Sequence, residues 1–228
     1  MSELRAAVRP SVPDVIRTGR VIPIWRAMNA TNVAAIADSL RLAGIPVFEV
    51  TLNSGSALEA IAELRATFAA DDLLIGAGTV LDLAQAEAAV AAGARFLVMP
   101  NTDPAIVRWA AERDIPAFPG AFTPSEILIA WRAGAAAVKL FPASVAGPTF
   151  VREMRGPLPE IPLIPTGGVN LETAPAFIAA GALAVGMGSW LTGDHDAATI
   201  RDRAAQLLAA LPPAATSPIA GPATAVAT

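Results

Sequence analysis

Short apolar runs alternate with longer, alanine-rich segments of helical period along most of the chain. Eight such runs lie at 21–25, 47–51, 73–77, 96–99, 115–118, 136–141, 161–165 and 184–188. Between and after them, apolar positions recurring every three or four residues predict helices near 30–43, 56–70, 82–92, 103–113, 123–133, 147–155, 170–180 and 195–211. A helix between two strands carries the chain back over the sheet, so successive strands run parallel. Eight such units closing on themselves predict an α/β fold of the (β/α)₈ TIM barrel type. Residues 11–19 predict an extra N-terminal helix covering the barrel bottom. Thr123-Pro124-Ser125-Glu126 and Asp103-Pro104 read as helix starts, with a capping oxygen ahead of a first-turn proline. Gly44, Gly93, Gly134 and Gly181 stand where helices should stop.

Composition narrows this picture. Of 228 residues, 54% are hydrophobic and 16% charged, more apolar than a typical soluble domain and suited to buried strands and a subunit interface. The pattern predicts a single domain over 1–211. From 212 to 228 the chain is rich in Pro, Ala, Ser and Thr and carries no charge, and reads as a disordered tail. A net charge of -4 offers no broad basic surface, so neither nucleic acid nor a membrane is an expected partner. The absence of cysteine removes disulfides, thiol nucleophiles and cysteine metal sites. The one histidine, His195, between Asp194 and Asp196, reads as a solvated loop or helix-start residue, and no metal is expected. The N-terminus carries Glu3, Arg5 and Arg9 without an apolar signal core, which predicts a cytoplasmic protein. The charge-free stretch 173–193 is broken by Pro175, Gly181, Gly186, Gly188 and Gly193. It therefore parses as helix, turn, strand and glycine-rich loop rather than a membrane span.

Two ionisable residues sit inside otherwise apolar strands. Lys139 is the sole lysine among sixteen Lys and Arg residues. Strand alternation puts Ala137, Lys139 and Phe141 on one face and Val138 and Leu140 on the other. An amine facing a barrel interior is desolvated, which favours the neutral nucleophile that Schiff-base formation requires. The structural alternative is a lysine paired with a carboxylate or extended to the rim. Glu49 shares a face with Val47 and Thr51 on the second strand, and a buried carboxylate calls for a partner, for which Lys139 is the candidate. That pair is either structural or an amine nucleophile with an adjacent proton-transfer group. Two glycine-rich turns, Pro165-Thr166-Gly167-Gly168-Val169 and Gly186-Met187-Gly188-Ser189, follow strands seven and eight, where barrels of this type often hold phosphate.

Together these motifs resemble the 2-keto-3-deoxy-6-phosphogluconate aldolase family, which includes 6-phosphogalactonate-type and 4-hydroxy-2-oxoglutarate aldolases. The matches run through 20–191 and include Val21-Ile22-Pro23-Ile24, Phe48-Glu49-Val50-Thr51, Gly76-Ala77-Gly78-Thr79-Val80, Met99-Pro100-Asn101, Pro119-Gly120, Val138-Lys139-Leu140-Phe141-Pro142, Gly147-Pro148, Pro165-Thr166-Gly167-Gly168 and Gly188-Ser189. The resemblance implies a lyase that cleaves a phosphorylated 2-keto acid to pyruvate and an aldehyde without a cofactor. It implies Lys139 as the Schiff-base residue and Glu49 as general acid/base. Thr79 would hold the pyruvyl carboxylate, Pro100 and Phe141 would line the pocket, and Thr166, Gly167, Gly168, Gly188 and Ser189 would surround the phosphate. A homotrimer is implied as well. Members resembling the enteric-bacterial phosphogluconate enzyme carry an arginine where this chain has Asn53; here Arg26, ending strand one, is the expected carboxylate anchor. Asn53-Ser54 looks like the galactonate branch and Thr166 like the gluconate branch. A different phosphate-binding barrel enzyme and a non-enzymatic assembly protein are the competing readings.

Overall fold

The computed structural model describes residues 9–26, 32–193 and 196–213. The predictions for His195 and for nearly all of the tail, 214–228, fall outside the described residues. The chain enters through α1 (Asp14–Gly19), then alternates: β1 (Val21–Trp25), α2 (Val33–Leu42), β2 (Val47–Thr51), α3 (Ala57–Thr67), β3 (Leu74–Gly78), α4 (Leu83–Ala92), β4 (Leu97–Val98), α5 (Pro104–Ala111), β5 (Ala117–Phe118), β6 (Gly120–Ala121), α6 (Pro124–Arg132), β7 (Val138–Leu140), α7 (Ala143–Met154), β8 (Leu163–Pro165), α8 (Ala174–Ala179), β9 (Val185–Met187), α9 (Ser189–Thr192) and α10 (Ala197–Ala210).

All strand pairings are parallel. One run is β5-β4-β3-β2-β1-β9 and the other β6-β7-β8. The two runs meet on both sides. β5 and β6 are one extended stretch interrupted at Pro119, which has no N–H to give the ladder; the Pro119 carbonyl instead accepts from Lys139 N at 2.9 Å. At the other side, Leu183 N donates to Leu163 O at 2.9 Å and Thr166 bridges Gly186. The result is an α/β, TIM-barrel-like fold.

Period two along the strands sorts the buried residues into two clusters. Phe48, Val50, Ala77, Leu97, Val138 and Leu140 face the helices. Ile22, Val47, Leu74, Phe96, Val98, Phe118, Ala137 and Ile164 form a smaller inner cluster, which Val12 and Ile16 join from the N-terminal segment. Ionisable residues of inner parity sit further along the strands than these apolar layers, so the layers form a floor beneath Lys139 and Glu49.

Helix starts carry the expected caps. The Asp103 carboxylate accepts from Ala105 N at 2.8 Å, and Thr123 with Glu126 forms a reciprocal capping box. Gly44, Gly93, Gly134 and Gly181 all have positive φ. Most elements are a few residues shorter than expected, and three differences have a local cause. The helix expected at 147–155 begins at Ala143 and is kinked at Gly147, φ 68°, so Gly147-Pro148 marks an interior break rather than a start. The helix expected at 170–180 begins only at Ala174, because the Asn170 side chain accepts from the N–H groups of Glu172 and Thr173, both at 3.0 Å, and turns the chain before the helix. The four-residue α9 is too short for any periodicity to announce.

Candidate active site

Lys139 lies on β7 between Gly120 of β6 and Ile164 of β8 and is 7% exposed. Glu49 lies on β2 between Ile24 of β1 and Gly76 of β3 and is 2% exposed. The Glu49 carboxylate reaches over β3: a Cβ placed on Gly78 would come within 2.0 Å of its Oε1. Glycine at 78 is therefore the space the carboxylate occupies. Sequence reasoning missed this role, although small residues at 76 and 78, of the same parity, were a signal of it.

Burial dominates the electrostatics of both groups. It pushes the Glu49 carboxyl up to about 7, a rise that the positive charges of Lys139 and Arg26 only partly oppose. It pushes the Lys139 ammonium down from its ordinary range; Glu49 pulls the other way and Arg26 adds to the fall. Glu49 and Lys139, expected as partners, act on each other's charge with no salt bridge between them. Among the described residues, ion pairs join Arg17 to Asp14, Arg41 to Asp38 and Arg113 to Glu112, all away from this site. The reason is geometric: the carboxylate is turned over Gly78, while the Lys139 Nζ lies 5.0 Å from the centroid of the Phe141 ring. A tight salt bridge would hold both groups ionised. At longer range, desolvation leads, and a neutral amine can coexist with a carboxyl able to take or give a proton near neutrality.

The remaining expected residues follow the C-terminal ends of β1, β3, β4, β7, β8 and β9. Arg26 is exposed immediately after β1. Thr79 follows β3 with φ 58°, a conformation costly for a β-branched residue and one that recurs at functional sites. Pro100 follows β4, and its carbonyl packs so closely on Gly120 that an added Cβ there would lie 2.2 Å away. Phe141 follows β7 and is 37% exposed, with its ring against Gly167. Gly167 and Gly168 adopt φ 92° and 77°, open to glycine at little cost. Ala143 N and Ser144 N at the start of α7 donate to Thr166 O and Gly167 O at 2.8 and 2.9 Å, fixing that loop. The buried Thr166 hydroxyl donates to Ile164 O at 3.2 Å. Gly188 O accepts from Leu191 N and Thr192 N, each at 2.8 Å, so Ser189 opens α9 beside the first glycine loop. The Thr166–Gly186 bridge sets the two loops side by side.

No helix among the described residues is long and apolar enough to cross a membrane. No group of three or more His, Cys, Asp or Glu side chains among them converges as a metal site.

A desolvated amine and a desolvated carboxyl, each in the middle of its strand and beyond the apolar floor, with paired glycine loops after β8 and β9, are the features of an enzyme on a barrel-like α/β sheet. The chain belongs to the KDPG and KHG aldolase family, whose sequence model matches residues 12–206. It is 35% identical over 181 residues to the 2-dehydro-3-deoxy-phosphogluconate aldolase of Pseudomonas aeruginosa, covering 79% of this chain and 81% of the relative. It is 37% identical over 192 residues to a probable 2-dehydro-3-deoxy-6-phosphogalactonate aldolase of Rhizobium meliloti, covering 83% and 90%. Among solved structures, the KDPG aldolase from Legionella pneumophila, with pyruvate captured as a covalent carbinolamine, superposes with a TM-score of 0.74. That structure shares 30% identity, covering 86% of this chain and 94% of the other.

Proposed function

We propose that the chain is a class I, Schiff-base aldolase that cleaves 2-keto-3-deoxy-6-phosphogluconate to pyruvate and glyceraldehyde 3-phosphate. The observation that carries this reading is the sole lysine of the chain, buried on β7 with its ammonium form disfavoured and a buried carboxyl of raised pKa nearby. The amine of Lys139 attacks the C2 ketone, and Glu49 relays protons while the carbinolamine loses water to give an iminium. Glu49 then takes the proton of the C4 hydroxyl, directly or through water. The C3–C4 bond breaks toward the iminium, leaving an aldehyde and an enamine; protonation at C3 and hydrolysis release pyruvate and the free lysine. The iminium is the electron sink, so the scheme calls for no metal or cofactor.

Arg26 and Thr79 anchor the carboxylate, Pro100 and Phe141 shape the pocket at the reacting carbon, and Thr166, Gly167, Gly168, Gly188 and Ser189 receive the phosphate. Support for the last group comes from its two adjacent glycine loops after β8 and β9. The catalytic unit is a single domain ending near Leu211, a complete eight-unit barrel with α1 as the extra helix across its N-terminal mouth. Exposed apolar side chains such as Leu81 and Val145 support a homotrimer, and a phosphorylated sugar-acid substrate fits the cytoplasm.

A second reading, a 6-phosphogalactonate-type aldolase, is favoured by Asn53 in place of a β2-end arginine. Retro-aldol turnover should be measured on the gluconate-derived and galactonate-derived 6-phosphates and on 4-hydroxy-2-oxoglutarate. The gluconate-derived substrate should give the highest kcat/KM. A preference for the galactonate-derived one would install the second reading, and no turnover on any of the three would overturn both.

A further inference from the structure

The last two carbonyls of β1 each accept a bond from a buried threonine hydroxyl, and the two threonines come from opposite sides. Thr51, at the end of β2 and 3% exposed, donates to Trp25 O at 3.2 Å. Thr192, the last residue of α9 and 4% exposed, donates to Ile24 O and lies 3.3 Å from Gly188 O. Gly188 packs on the same spot: a Cβ there would lie 3.7 Å from Ile24 O. The next residue along the chain is Arg26, exposed at the rim, whose charge acts on both Glu49 and Lys139.

We propose that Thr51 and Thr192 are positioning residues that clamp the end of β1 and so hold Arg26 at the carboxylate end of the substrate, with Thr192 tying that end to the glycine loop at the phosphate end. The inference rests on the aldolase reading and on Arg26 as carboxylate anchor. Strand ends are where a ladder runs out of partners and frays. A hydroxyl bound to each terminal carbonyl removes that freedom without placing any group in the substrate's path. α9 is one turn long, and its far end carries Thr192 while its start carries Gly188 and Ser189. A shift of the β1 end must therefore also move the loop that receives the phosphate. A guanidinium aligned in advance binds a carboxylate without first losing the entropy of a mobile rim.

The test is steady-state kinetics of Thr192→Val, Thr192→Ser and Thr51→Val, each made with Arg26 present and with Arg26→Ala. Thr192→Val and Thr51→Val should each raise KM for the phosphorylated keto acid roughly three- to tenfold and leave kcat within about twofold. Thr192→Ser, which keeps the donor, should restore the parent KM. In the Arg26→Ala background Thr51→Val should no longer change KM, because the group it positions is gone, and Thr192→Val should keep only the smaller part of its effect that passes through the glycine loop. Equal factors in both backgrounds, a fall in kcat at unchanged KM, or failure of serine to rescue would overturn the clamp while leaving Arg26 as anchor. An Arg26→Ala enzyme with the parent KM would overturn the anchor reading and the clamp together. Serine as a near-isosteric control keeps the test decisive if a valine variant folds poorly.

Discussion

At the scale of single residues, the proposed mechanism rests on two groups held out of water with no salt bridge between them. Glu49 is the sharper probe because its carboxyl lies near 7 rather than its ordinary 4.5. As the proposed base for the C4 proton it must be ionised, so kcat/KM should rise with pH along an acid limb centred near 7, a macroscopic property of the Glu49–Lys139 pair. Glu49→Gln should abolish that limb and lower kcat roughly 10²-fold or more. The same shift sets a stability dependence of opposite sense. A raised carboxyl pKa means the folded chain keeps a proton that the unfolded chain releases, so its contribution is complete below the ordinary value and is lost as pH climbs through 7. Relative to the parent, Glu49→Gln should therefore gain stability between pH 5 and pH 8, on the order of 3 kcal/mol at most. Denaturant melts at the two pH values check it; equal stability differences at both would mean the carboxyl is not held protonated by the fold.

At the scale of elements, the clearest case is α6. Thr123 accepts from Glu126 N, and the Glu126 carboxylate accepts from Phe122 N and Thr123 N at 2.9 and 2.8 Å, bonds that hold this carboxyl below its ordinary range. Thr123→Ala should cost about 1 kcal/mol in urea unfolding with kcat/KM unchanged. The Glu126 contribution is present above the ordinary carboxylate value and is lost as pH falls through the depressed one, so the difference should shrink in acid. This cap was legible because a capping box is local: four consecutive residues contain all its chemistry. β1 and β2 were legible to the residue for a similar reason, each being a whole apolar run between turns. What escaped was non-local or very short. Nothing in the segment 189–192 forecasts that its last hydroxyl meets a carbonyl of β1, 168 residues away in sequence. Likewise, strand parity put Lys139 and Glu49 on inner faces as partners, but nothing in it forecasts that the carboxylate lies over Gly78.

At the scale of the whole molecule, the alternation of inner and outer clusters gives the site its floor. Apolar side chains from β1, β2, β3, β4, β5 and β8, with Ala136 and Ala137 just ahead of β7 and joined by Val12 and Ile16, fill the inner space below the ionisable pair. In the proposed mechanism, that layering desolvates the single lysine that the substrate meets. The most direct test of this account is reduction with borohydride in the presence of pyruvate, followed by intact-mass and peptide analysis. Because Lys139 is the sole lysine, a trapped Schiff base has one side chain to label. One reduced pyruvyl group per chain on Lys139, with loss of aldolase activity, is the predicted result; label confined to the N-terminal amine, with activity intact, would contradict it.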